Sequence, residues 1–211
     1  MTFDELVAHL RGSVLRDTAT PALWTDIELG RYLNEAQDQF ARRTHCLADE
    51  ESAFTSLVTV AGTALYTLDD QIVFVADVAH SDGTPLRAAV RARMSRSIGQ
   101  SRPRHYSTDA AVRQIRLYPT PDAIYTLSLL VARKPAKLVD GTDVPEIDED
   151  YHLALCEWAA YRALRNNDVD GTNTVEAGKF REGWEMAVRE GKRNTMRYRS
   201  VPLQLNNWTG K

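Results

Sequence analysis

Apolar positions recur with a helical period at both ends of this chain and with a period of two in between. Phe3, Leu6, Val7, Leu10 and Val14 predict a first helix that stops near Asp17. After a loop containing Pro21, Thr25 or Asp26 offers an N-cap, and Leu29, Tyr32, Leu33, Ala36 and Phe40 form one stripe of a second helix reaching about His45. Arg31, Glu35, Asp38 and Arg42 lie opposite that stripe, spaced for ion pairs worth only about 0.2–0.5 kcal/mol each. From Ser52 the pattern becomes strand-like: Phe54 to Val60, Ala64 to Leu68 and Ile72 to Val78 are separated by turn-like AGT and DDQ, which reads most simply as a meander. Beyond the Ser81-Asp82-Gly83 turn come a weak strand at Leu86 to Val90, the ambiguous stretch RARMSRSIGQ, and HYS. VRQIRLYP and AIYTLSLLVARKP then alternate as half-buried strands, with Pro119-Thr120-Pro121-Asp122 read as their hairpin loop.

Helical spacing returns after Gly141 to Pro145. Asp148 can cap a helix striped by Tyr151, Ala154, Leu155, Trp158, Tyr161 and Arg162, ending near Asn166 and Asn167. Asn173 and Glu176 are spaced as N-cap and N3 of a last helix with Ala177, Phe180, Trp184 and Val188 on its apolar edge. From Arg197 the sequence RYRSVPLQLNNWTGK has a proline and no helical stripe, and reads as an extended arm. The expected class is α+β: a bundle of about four helices drawn from both chain ends, an inserted antiparallel sheet or sandwich, and the arm. The corresponding divisions are residues 1–50, 51–138, 139–197 and 198–211.

Composition narrows the function more than it names it. The 211 residues are 43% hydrophobic and 26% charged with a net charge of -3, so no overall field selects nucleic acid or an acidic membrane surface. Cys46 and Cys156 stand far apart without a CxxC partner, which points to reduced packing residues in a cytosolic setting rather than zinc ligands. The first residues are acidic and amphipathic, unlike a secretory signal, and no 18 apolar residues run together, so no membrane partner is expected.

Candidate chemistry is sparse. Asp168-Val-Asp170-Gly171 resembles the opening of a calcium loop, but the later ligands do not match and a helix-connecting turn accounts for it. Glu146, Asp148, Glu149 and Asp150 could supply the paired carboxylates of a wall-degrading glycosidase, or simply complement a helix N-terminus. His45, His80, His105 and His152 have no HExxH or cysteine context, and no serine sits in a GxSxG elbow. The expectation is no catalytic residue, no metal and no cofactor.

Two charged features remain. Arg87, Arg91, Arg93, Arg96, Arg102 and Arg104 fall in a stretch, Gly83 to Thr108, with no acidic residue. They could touch the phosphates of DNA, or serve subunit contacts, for instance with Asp49 to Glu51, or face solvent. Arg189, Lys192, Arg193, Arg197 and Arg199, which could pair with an acidic partner surface or simply solvate the helix end, lead into the arm; its Tyr198, Val201, Leu203, Leu205 and Trp208 are the expected binding anchors, the alternative being a loose tail or one folded back on its own domain.

The order of LNEAQDQFARRT, SRPRHYSTDAAVRQIRLYPTPDAIYTLSLLVARKPAKL, DVPEIDEDYHLALCEWAAYRAL and FREGWEMAVREGKR resembles the head-to-tail adaptor proteins of tailed bacteriophages, including the tail tubular protein A type, over roughly residues 1 to 197. The likeness is one of element order and short phrases. It implies a non-enzymatic virion protein of the neck, assembled in the host cytoplasm as a ring, commonly of twelve subunits, beneath the portal. The resemblance further implies that the arm reaches the portal, that the β part faces the tail nozzle or another downstream tail component, and that genomic DNA passes through without sequence-specific binding. A peptidoglycan-degrading virion protein and a DNA-binding module built on Arg87 to Arg104 are the alternatives.

Overall fold

The computed structural model describes residues 1–90, 99–108, 111–166 and 174–199; for Tyr198 and Arg199 it describes the backbone alone. Among these residues four helices frame eight strands. α1 (Phe3–His9) begins at a capping box in which the Thr2 hydroxyl and the Glu5 carboxylate each accept the other residue's backbone N–H, and it runs on as a π-helical turn over Leu10–Val14. α2 (Asp26–Thr44) starts with the same device, Thr25 with Glu28, and ends where His45 takes a left-handed conformation with φ 55°. The loop between them is tied by Asp17, whose carboxylate accepts from Leu23 N, Trp24 N and Arg11. α3 (His152–Asn166) follows a 3-10 turn capped by Asp148, and α4 (Thr174–Arg199) packs antiparallel to α3.

The α2 stripe read from the sequence is buried throughout. It meets Leu155, Ala159 and Ala163 of α3 and Trp184 and Val188 of α4 in one apolar cluster, where each large side chain contributes about 1.5–3 kcal/mol. Trp184 is fully buried, whereas Trp158 is only half-buried. Glu35, on the face read as solvated, reaches across to pair with Arg162 of α3, so that face is partly an interhelical contact.

In the middle of the chain, β8 (Thr126–Arg133) is the centre of one sheet. β4 (Ile72–His80) runs antiparallel along one side of it, and β1 (Ala48–Asp49) and β2 (Ser56–Val58) follow one another along the other. The second sheet has the order β3 (Leu65–Thr67), β7 (Gln114–Tyr118), β6 (His105–Ser107), β5 (Arg87–Ala88), with β5 and β6 parallel. Their facing sides bury Val75, Val78, Ile115, Leu117, Leu127, Leu129 and Val131 as a second apolar cluster. Two sequence expectations fail here. The strands do not form a meander, because β3 and β4 each pair with a strand some fifty residues later and not with each other. Nor is 119–122 a hairpin loop: it carries the chain from β7 in one sheet to β8 in the other. Alternation specifies which face of a strand is buried but not which strand lies beside it.

Candidate interaction surfaces and the joint between helices and sheets

The helical and sheet parts are joined by polar side chains that periodicity does not reveal. Asn34 on α2 acts as a piece of strand: its Oδ1 accepts from Leu138 N at 2.8 Å and its Nδ2 donates to Leu138 O at 2.9 Å. One turn on, the nearly fully buried Gln37 donates to Ala136 O at 2.7 Å. These three bonds hold the segment leaving β8 against α2. Arg133, at the end of β8, gathers the rest of the joint. Its two terminal nitrogens grip both oxygens of Glu146 at 2.8 Å, and its Nε lies 3.0 Å from Asp49, which also caps Glu51 N and Ser52 N. One guanidinium thus ties β8 to the β1 turn and to the approach to α3, a fork geometry that lysine does not reproduce.

This network decides what the acidic residues can do. The Arg133 bond holds the Glu146 carboxyl below its ordinary range against the opposing effect of burial. Asp49 is lowered by its Ser52 bonds, and for Asp17 the donors Leu23 N, Trp24 N and Arg11 outweigh burial, which alone would raise it. A glycosidase acid needs the opposite shift. Asp148 caps the turn before α3. Cys156, buried and pushed up to about 12, is an inert thiol. His80 and His152 are buried and bonded to the carbonyls of Pro103 and Ile147, as packing histidines are. Among the described residues no group of three or more His, Cys, Asp or Glu could hold a metal; residues 168–171 lie outside them.

A pH dependence follows from these shifts. A carboxylate with a lowered folded pKa stabilises the fold above its unfolded value, near 4, and that contribution is lost as pH falls through the folded value. Glu157 on α3, raised by burial, works in the opposite sense but is one group against seven, since Glu28, Asp82, Asp143 and Glu185 are lowered as well. Unfolding midpoints in urea are therefore expected to hold steady down to about pH 5 and to fall steeply between about pH 4 and pH 2.

Of the six arginines, Arg91, Arg93 and Arg96 lie outside the described residues. Arg87 on β5 is exposed, and Arg104, just ahead of β6, accepts its N–H at the backbone. Arg102 is engaged: it pairs with Asp82 at 2.5 Å and lies over the Tyr125 ring, tying residues 99–104 to the Asp82–Gly83 turn. Of the arm anchors, Tyr198 stands in the last turn of α4, which runs to Arg199 and so two residues past Arg197, where the arm was read to start. Val201, Leu203, Leu205 and Trp208 lie outside the described residues. Gly191 of α4 is buried against Phe40, and beyond it Asn194 donates to the Tyr151 hydroxyl at 2.8 Å. Met196 beyond it is 54% exposed.

A model of the family described as SU10 adaptor protein matches residues 1–204. The chain belongs to that family. It is a phage head-to-tail adaptor, with the structural and non-enzymatic role, the virion location and the binding to other virion components that this membership implies. No curated protein matches the chain. Among the described residues of the adaptor no helix is long and apolar enough to cross a membrane.

Proposed function

We propose that this adaptor assembles as a ring, of about twelve copies by the family resemblance, beneath the portal. It continues the DNA channel there and offers its sheets to the next tail component. The residues after α4, with Tyr198, Val201, Leu203, Leu205 and Trp208 as anchors, engage the portal. Arg87, Arg91, Arg93, Arg96 and Arg104 serve contacts between copies or face the passing DNA, while Arg102 keeps its bond to Asp82.

The observation that carries this reading is the length of α4. At about 1.5 Å per residue, its 26 residues span about 39 Å. The last buried residue of α4 among the described ones is Gly191 and its bond to Tyr151 lies at Asn194, so about one and a half turns, residues 195–199, continue beyond that bond. The last two turns of α4 carry Lys192, Arg193 and Arg197 and lead into Val201, Leu203, Leu205 and Trp208. A helix extended past its own core serves a partner outside it. The test is mass by light scattering, for the adaptor alone and mixed with its cognate portal. A ring-sized assembly, either alone or on the portal, is expected; a single-chain mass in both samples would overturn the proposal.

A further inference from the structure

Four arginines and two tyrosines interleave where the last turns of α3 lie between α2 and α4. Arg31 and Arg162 stand over the Tyr32 ring, 5.4 and 5.9 Å from its centre, and Arg165 and Arg181 each lie 5.9 Å from the centre of the Tyr161 ring. Asn166 donates to the Tyr32 hydroxyl and Arg165 to the Tyr161 hydroxyl, both at 2.8 Å, so the two groups are fixed on neighbouring positions of α3. Among the described residues, Glu35 on Arg162 is the carboxylate that pairs with this row. Arg31, Arg165 and Arg181 are exposed. A guanidinium laid on a ring has its orientation set and keeps donors for a partner, so it grips a carboxylate with less loss of side-chain freedom than a loose lysine would. Arginine and tyrosine are also the residue types that interface centres favour.

The opposite side of α3 carries the opposite sign. Cys156 faces α1, its Sγ donating to Leu6 O at 3.9 Å. Arg165 lies nine residues further on, about two and a half helical turns, and therefore points half a turn away. Beside α1 runs the segment that precedes α3. Phe3 N donates to Asp143 O at 2.7 Å and Asp4 N to Gly141 O at 3.0 Å, and the Asp4 carboxylate covers Gly141 so closely that a β-carbon there would collide with it. Asp4, Glu5 and Asp140 are exposed on this face, and no lysine or arginine occurs from Met1 to Ala8 or from Leu138 to Tyr151. Val139 and Val144, 75% and 51% exposed, add apolar surface beside the acids.

We propose that these two faces meet between neighbouring copies, the arginine row of one chain seated on the Asp4 and Asp140 face of the next. The inference rests on the ring reading and gives the ring a contact. Complementary patches on opposite sides of one chain cannot satisfy each other within it. A copy bound at each side repeats the same step, which is the head-to-tail contact that closes rings. The acidic face lies toward the N-terminal end of α3, where the Met1 ammonium meets His152, and the arginine row toward its C-terminal end, so a ring built this way sets α3 oblique to its axis. The row suits DNA less well. Both tyrosine rings are already covered by guanidiniums and offer no free face to a base, and Glu35 would stand against the phosphates.

The test is assembly mass by sedimentation, for the adaptor alone and with its portal, in the parent and in two charge-reversed variants, with melting curves showing that each is folded. One variant carries Arg165→Glu with Arg181→Glu, the other Asp4→Lys with Asp140→Lys. Where the parent forms its ring, each variant is expected to need about tenfold more protein, or more, for half-assembly. Mixed in equal amounts, the two should assemble at the parent's concentration, because each supplies the sign the other lacks. Variants that assemble as the parent does would overturn the proposal and leave the ring reading standing, as would a loss that the mixture does not repair. A parent at single-chain mass in both samples would defeat the ring reading and this contact with it. If the arginine variant assembles normally but loses salt-sensitive retention on duplex DNA, the row faces DNA and the proposal falls.

Discussion

Replacing Trp184 by alanine is expected to cost about 3–5 kcal/mol, which in a chain of this size lowers the melting temperature by about 10 °C. The indole is fully buried where three helices meet. It lies edge-on to Phe40 of α2 at 5.7 Å between ring centres and tilted against Trp158 of α3 at 5.2 Å. Removing it opens a cavity where the three helices meet, and the close approach of Gly191 to Phe40 leaves little freedom for α4 to collapse inward. The indole Nε1 has no hydrogen-bond partner, so Trp184→Phe sheds an unsatisfied donor along with some volume. It should cost less than half as much. Circular dichroism melts of the two variants check the pair, and equal losses would show that ring volume is not what matters. Trp158→Ala, at a half-buried position, should fall well short of Trp184→Ala.

Arg133→Ala is expected to destabilise by about 2 kcal/mol, less than the loss of a fully buried pair because the side chain is 25% exposed. The loss has two parts. Three charge-assisted bonds disappear, and Asp49 and Glu146 are left facing one another without the cation that separates them. Each of these carboxyls then moves back up in pKa. The acid-induced fall in stability should accordingly be smaller in the variant than in the parent, because these two carboxyls have less stabilisation left to lose on protonation. Arg133→Lys restores one charge but not the fork, and should recover only part of the loss. Urea midpoints at pH 7 and pH 4 separate the effects: the deficit of Arg133→Ala should be larger at pH 7, where both carboxylates are ionised.

The helical frame was legible in the sequence because its signals are local. Thr25 with Glu28 is a capping box within one turn, and Leu29, Leu33, Ala36 and Phe40 repeat at helical spacing; the structure places each where the pattern does. The strands were legible singly, and their partners were not. Nothing within the sequence around Leu65 announces that it will lie opposite Arg116, since pairing is chosen by the closure of the whole core. The joint was invisible for a related reason. Asn34 and Gln37 read as polar positions of an exposed helix face until the Ala136–Leu138 segment arrives about a hundred residues later. A faint signal existed in Gln37, which follows Ala36 on the buried side of the stripe. Arg133 ends a strand, and only Asp49 and Glu146, brought in from both directions along the chain, make it a hub.

The part this adaptor plays in the virion turns on what lies past the end of α4. The most direct measurement is portal binding by the full chain and by the chain ending at Arg199, followed by sedimentation or light scattering, with melting curves showing that both are folded. The expected result is that the full chain joins the portal and the shortened chain does not, while both melt at the same temperature. A shortened chain that joins the portal as fully as its parent would contradict the assignment of that segment to the portal.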